Sequence, residues 1–189
     1  EEIVFNAKTQ RPSVCNAMET LLVHQDIAEK FLPKVFQSLA SKNVEWYCCD
    51  KSYSILNSSI AGKTQKASQT EMIHHAEKGQ YDIEYGDFKI SCRVVESAEQ
   101  AMEHIAEHGS KHSEVIVTED RALARTFQRM VDAACVYWNA SSRFTDGYEF
   151  GLGGEIGVST QKLHVRGPIG LSALTSVRWI IDGNGQVRN

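Results

Sequence analysis

The chain has 189 residues, 42% of them hydrophobic, 23% charged and only 3 of them proline, which excludes collagen-like, disordered and mini-protein classes. Twenty Lys plus Arg against 24 Asp plus Glu leave a formal charge of −4, and neither sign gathers into a run, so nucleic acid is not an expected partner. Such a length suits one domain burying roughly 70% of the surface of its unfolded chain, and the apolar stretches fall far short of the ~20 residues a bilayer crossing needs. A soluble, cytoplasmic protein without membrane contact is expected.

In chain order, Val14, Ala17, Met18, Leu21 and Leu22 have the i, i+3, i+4, i+7, i+8 spacing of a helix face, which predicts a helix beginning just after Arg11-Pro12-Ser13. A second helix is expected from Asp26, with Ile27, Phe31, Val35 and Leu39 inward, broken or kinked at Pro33. Val44 to Cys49 reads as a buried strand, and residues 50–82 as loops with at most a turn or two of helix around Thr70 to Lys78. Asp87 to Val95 reads as a strand, followed by a helix capped by Ser97-Ala-Glu-Gln100 and running to Gly109. Glu114 to Thr118 then reads as a strand, Asp120 to Val131 as a helix with Leu123, Phe127, Met130 and Val131 inward, and Ala134 to Trp138 as a further strand. This alternation predicts an α/β fold with a mostly parallel sheet. Beyond a Gly-rich segment, Ala173 to Ile181 reads as a final strand that leaves the body to pair elsewhere.

Five cysteines, Cys15, Cys48, Cys49, Cys92 and Cys135, form an odd set without C-x-x-C spacing, so free thiols in a reducing compartment are expected, with neither a disulfide nor zinc. Cys15 falls in the first turn of the expected first helix, where unpaired amides and the helix dipole favour the nucleophilic thiolate. A small buried residue at a helix start is the alternative. The other four cysteines lie in strand-like contexts, where packing explains them. His104, His108 and His112 would line one helix face and could bind a metal, but Gly109 is expected to break the array. Gly151-Leu-Gly-Gly-Glu-Ile-Gly157 lacks the glycine at position 156, the preceding strand and the distal acid of a dinucleotide fingerprint, and reads instead as a tight loop. Arg143 and Arg166 flank that loop. Either could hold a carboxylate or phosphate in a forked pair, or stand as an ordinary solvated arginine.

Three stretches, Asn6 to His24, His104 to Glu114 and above all Asn139 to Leu171 (NASSRFTDGYEFGLGGEIGVSTQKLHVRGPIGL), together resemble the gamma-glutamyl phosphate reductases (glutamate-5-semialdehyde dehydrogenases), a branch of the aldehyde dehydrogenase superfamily. The resemblance covers nearly the whole chain and is weakest over 50–82. It implies a three-layer αβα catalytic domain at residues 1–171 and a C-terminal strand at 172–189 used for oligomer contacts. It implies Cys15 as the thiol that attacks gamma-glutamyl phosphate, expels phosphate and forms a thioester, with NADP as cofactor and glutamate-5-semialdehyde, a proline precursor, as product. Backbone amides at the start of the Cys15 helix would hold the developing oxyanion. Arg143 is then the expected anchor of the substrate α-carboxylate and Arg11 a contact to its phosphate. Glu84 stands roughly where aldehyde dehydrogenases use Glu-x-Phe to hold the nicotinamide ribose, although Gly86 replaces the Phe.

Family members are about twice as long, and the part before this chain's start builds most of the NADP-binding domain. The chain alone, opening on Glu1 without Met, is therefore expected to fold but to lack activity. Association into a homo-oligomer and with a glutamate 5-kinase is implied as well. Two other readings stand beside this one: a superfamily enzyme acting on a different aldehyde, and a noncatalytic assembly domain that keeps the fold.

Overall fold

The computed structural model describes residues 1–61, 69–162 and 165–188. Helix α1 (Glu2–Thr9) leads through turns at residues 10–19 into strand β1 (Thr20–His24). The helix expected from Val14 to Leu22 does not form. Leu21 and Val23 alternate inward from a strand instead, because pairing with a buried neighbour overrides a local spacing that suits both states.

Helix α2 (Gln25–Ala40) runs unbroken through Pro33, against expectation, although Ile27 is exposed. Ala28, Leu32, Val35, Phe36 and Leu39 of this helix are buried. At about 1.5–3 kcal/mol for each large side chain, they outweigh the ~3 kcal/mol that an interior proline costs.

Strand β2 (Glu45–Cys48) is followed by helix α3 (Asp50–Ile60) and strand β3 (Ile73–His75). Both latter elements lie in the region expected to be loop; its residues 62–68 lie outside the described residues. The stripe of α3 is Ser52, Leu56 and Ile60, and it escapes a hydrophobic count because Ser52 is a serine. Its hydroxyl is buried by donating to the carbonyls of Cys49 and Cys92 at 3.0 and 3.1 Å. Cys49 is not a strand residue but the N-cap of α3.

Strand β4 (Lys89–Val95), helix α4 (Ala98–His108), strand β5 (Ser113–Ile116), helix α5 (Arg121–Met130) and strand β6 (Cys135–Trp138) follow in the expected order. Ser97 Oγ caps α4 by accepting the Gln100 N–H, and Gln100 Oε1 reaches back to the Glu96 N–H. Phe127 and Val131 are buried as expected, but Met130 is exposed. Strands β7 (Ile156–Val158) and β8 (Gly167–Ile169) form an antiparallel ribbon.

The main sheet is wholly parallel in the order β1-β4-β2-β3, whereas β5 and β6 pair in a separate parallel sheet. Its register sets Trp46 beside Ile90 and Ile73, Cys48 and Leu21 beside Cys92, and Val23 beside Val94. These eight side chains share one face and one core with α2 and α3. The other face carries Tyr47, Ser91 and Arg93, met by residues 80–85 and by α4, where Arg93 reaches His104 at 3.0 Å. Helices on one face, the parallel sheet and α4 on the other make the expected three-layer α/β arrangement.

Residues 171–174 form a short 3-10 turn, and no strand follows among the described residues. The strand expected at Ala173 to Ile181 thus does not form, and no edge among the described residues pairs with it. Val177, Trp179 and Ile181 are each 84% exposed. No helix among the described residues is long and apolar enough to cross a membrane.

On β5, burial pushes the Glu114 carboxyl up to about 7. The unfolded chain ionises Glu114 near its ordinary value while the folded chain keeps it protonated, so stability falls as pH rises from about 4.5 to 7 and the penalty is complete above that. Glu114→Gln is expected to raise the melting temperature at pH 8, by at most about 3 kcal/mol of stability, and to change it little at pH 4.5. Equal shifts at both pH values would contradict this assignment.

Candidate active site

Cys15 lies in the turn between α1 and β1 and is open to solvent. It is not at a helix N-terminus, so the dipole and the row of helix amides expected to favour the thiolate and hold an oxyanion are absent. Partial burial raises the thiol pKa above its ordinary value, Glu155 and Glu84 push the same way, and the residue's own N–H and the Arg143 guanidinium oppose them. At neutral pH the sulfur therefore rests as a thiol.

The next residue fixes the turn. Buried Asn16 donates from Nδ2 to the Thr145 carbonyl at 2.6 Å, its own carbonyl accepts the Ser142 hydroxyl at 2.6 Å, and its Oδ1 accepts from Arg143 Nη1. Three bonds from one residue thus tie the thiol's turn to a loop about 130 positions later. Arg143 also donates from Nε to Gln10 Oε1 at 2.7 Å, bridging the end of α1 to the same turn. Arg11 is exposed on that turn.

Arg166 is held elsewhere. It pairs with Asp132 at 2.7 Å and donates to the Ser159 carbonyl at 2.8 Å, and Asp132 is pulled down to about 2 by hydrogen bonds from Lys162 and Arg166. That arginine clamps the β7–β8 ribbon to the end of α5.

Two residues join the site that the sequence reading did not nominate for it. Glu155 Oε2 accepts the Gly147 N–H at 2.7 Å and closes the glycine loop, in which Gly151 and Gly153 adopt positive φ of 72° and 69°. An added Cβ at Gly147 would collide with the Gly154 carbonyl, so the loop is tight, as expected. His112 turns away from α4: its Nδ1 bonds Ser113 Oγ at 2.8 Å, and Ser113 Oγ bonds Thr145 Oγ1 at 2.7 Å. Thr145, 1% exposed, also bonds the Tyr137 hydroxyl at 2.8 Å. Burial pulls the His112 pKa down against the attraction of Glu155 and Glu84. Only the histidine's place in the second resembling stretch and the glutamate's place in the Gly-rich loop could have signalled either residue.

The histidine array is broken at Gly109 as expected. His104 is buried against Arg93 and pushed down to about 4 by burial, His108 and Arg93, and His108 bonds Asp82 at 2.7 Å. These two are committed away from His112.

Glu84 is exposed, but its neighbours are pinned. Glu19 accepts the Gly86 N–H at 3.4 Å and pairs at 3.1 Å with Lys8, which is 0% exposed. Burial lowers the Lys8 pKa and raises that of Glu19, the two charges partly restoring each other. Tyr85 stacks on Tyr47 and bonds Ser91 and Gln80. Cys15 thus has Arg143, Glu84 and Glu155 near enough to act on its charge, His112 is acted on by the same two carboxylates, and Arg11 lies on the thiol's own turn.

Among the other thiols, burial pushes Cys49 up, but hydrogen bonds from the Ser52 hydroxyl and from the amides of Ser52, Val94 and Lys51 bring it below its ordinary value. Alkylation must therefore be followed peptide by peptide. Cys15 is expected to react with iodoacetamide with an apparent pKa above the ~8.5 of a free thiol, and Glu155→Gln should lower that value and speed the reaction at pH 7 several-fold. A wild-type Cys15 as reactive at pH 7 as a free thiol would contradict this account of its electrostatics.

No protein-family model matches the chain. A gamma-glutamyl phosphate reductase from Clostridium tetani is 50% identical over 188 residues, covering 100% of this chain and 43% of that protein. The crystal structure of gamma-glutamyl phosphate reductase from Thermotoga maritima superposes with a TM-score of 0.85 at 41% identity, covering 100% of this chain and 42% of the other. An acetylating aldehyde dehydrogenase from Geobacillus thermoglucosidasius, 18% identical with a TM-score of 0.51 over 76% of this chain and 37% of its own, shares the fold. The chain spans less than half the length of the curated relatives it matches. Along its whole length it is similar to gamma-glutamyl phosphate reductases, and its fold is that of the aldehyde dehydrogenases.

Proposed function

We propose that this chain is the thiol-bearing part of an enzyme that reduces L-glutamate 5-phosphate to L-glutamate 5-semialdehyde and phosphate with NADPH, in proline biosynthesis. The observation that carries the reading is Cys15, open to solvent in a turn braced by Asn16 and flanked by Arg143, in a chain about half identical to proteins of that name.

The Cys15 sulfur attacks the acyl carbon, the C–S bond forms as the C–O bond to phosphate breaks, and a thioester results. NADPH, when bound, supplies a hydride to the thioester carbon. Glu84 suits the cofactor's ribose hydroxyls, since its carboxylate is exposed while Glu19 and Tyr85 fix the backbone around it. The rest of the cofactor site belongs to the upstream part of such an enzyme, and the chain alone is inactive in this reading. Arg143 receives the α-carboxylate with the guanidinium N–H groups not taken by Gln10 and Asn16, and exposed Arg11 receives the phosphate. The apolar tail around Val177 to Ile181 pairs with another subunit in a homo-oligomer, which accounts for its exposure here. A glutamate 5-kinase partner would shorten the exposure of a hydrolysable acyl phosphate to water.

In the complete enzyme containing this chain, Arg143→Lys is expected to raise the KM for L-glutamate 5-phosphate about tenfold or more, because a point charge replaces a fork. The reverse reaction should require inorganic phosphate. Semialdehyde oxidation that proceeds equally well without phosphate would overturn the proposed reaction, and an unchanged KM would remove Arg143 from the substrate site.

A further inference from the structure

The proposed acylation has a proton to place. Starting from the resting thiol, acyl phosphate dianion plus Cys15 S–H gives thioester plus hydrogen phosphate dianion. The proton that leaves sulfur must therefore reach the departing phosphate oxygen, since phosphate expelled as a trianion is a poor leaving group at neutral pH. A single neutral base near both atoms can do this by accepting and then donating.

We propose that His112 is that carrier, taking the proton from Cys15 Sγ and delivering it to the leaving phosphate. The inference rests on the acyl-phosphate reading above. Its Nδ1 is held by Ser113, Ser113 by Thr145, and Thr145 in turn by Tyr137, while the Thr145 carbonyl holds the Asn16 side chain next to the thiol. The imidazole, on the turn just before β5, is thus tied through Ser113 to the loop that braces the nucleophile.

Every member of the chain Ser113, Thr145 and Tyr137 is a hydroxyl that can donate or accept. With Nδ1–H donating to Ser113 Oγ, the neutral ring presents Nε2 as the acceptor, and Nε2 can take a proton and give it up again while the Nδ1 bond stays in place. Glu155 and Glu84 are the charged groups that act on His112, and the same two act on Cys15. They favour the transient imidazolium while disfavouring the thiolate, and burial of the ring returns it to the neutral form. Glu155 Oε2 is already taken by the Gly147 amide, and Arg143 has no lone pair to accept a proton.

The test uses the complete enzyme without NADPH, so that only acylation occurs, and compares two acyl donors. With L-glutamate 5-phosphate, His112→Gln is expected to slow the single-turnover release of phosphate by about 10²-fold or more. With p-nitrophenyl acetate, whose leaving group departs unprotonated, assayed above the Cys15 pKa where the thiolate is already formed, the variant should acylate at nearly the wild-type rate. Normal ester acylation also certifies the fold and the nucleophile of the variant. Phosphate release unchanged in His112→Gln, or equal losses with both donors, would overturn the role of His112. No phosphate release from the wild type, with Cys15 still acylated by the ester, would instead overturn the acyl-phosphate reading and this proposal with it.

Discussion

The side chain and carbonyl of Asn16 hold the candidate site together. Cys15 belongs to a turn with no regular structure to fix it, and Arg143, Thr145 and Ser142 belong to a loop that follows a different sheet. Nδ2, Oδ1 and the carbonyl of Asn16 each engage that loop. A buried amide with its partners met is worth keeping rigid, because each lost partner would leave a desolvated group at a cost of about 1–3 kcal/mol. The nucleophile, the arginine and the hydroxyl chain to His112 are therefore tied to one another through Asn16 and Thr145.

Charge arrangement around this piece favours neutrality at rest. Glu155 and Glu84 raise the Cys15 pKa, and burial keeps His112 neutral against the same carboxylates. A thiol and an imidazole that are both uncharged before substrate arrives need no counterion, and the charge they develop together is cancelled when the proton moves on. The buried Lys8–Glu19 pair serves a different end. It joins α1 to the turn before β1 and to Gly86, so the segment carrying Glu84 is located relative to Cys15 by a bond made behind both. Removing one partner of such a pair would leave the other charge buried and unpaired, a cost of about 3–5 kcal/mol.

The legible part of the fold was that in which local pattern and tertiary burial agree. In α2 and α5 the apolar spacing marks a helix, although the buried face of α2 is set by Ala28, Leu32, Val35, Phe36 and Leu39 while Ile27 and Met130 are exposed, and at Ser97 the cap chemistry is complete in four residues. Where the two diverge, the sequence misleads: Leu21 and Leu22 fit a helical series, yet β1 gains a neighbour in β4 along its whole length. Helix α3 was hidden because Ser52 occupies a core position that its hydrogen bonds to Cys49 and Cys92 make tolerable. The segment Ala173 to Ile181 reads as a strand but pairs with no edge among the described residues. Cys15 was nominated for a helix start that does not exist, so its case now rests on resemblance and on the bracing of its turn. His112 was read with His104 and His108 by spacing, whereas Gly109 ends the helix and the chain carries it to the opposite group of partners. Long-range placement of this kind leaves no periodic trace.

A double-mutant cycle between Asn16 and Arg143, with kcat/KM for L-glutamate 5-phosphate measured in the complete enzyme, tests the bracing most directly. If the two side chains act as one unit, Asn16→Ala and Arg143→Ala each impair turnover and the double variant is little worse than the poorer single one, a coupling on the order of 1–3 kcal/mol. Additive losses would mean that the two act independently, and would contradict the account of a site held rigid through Asn16.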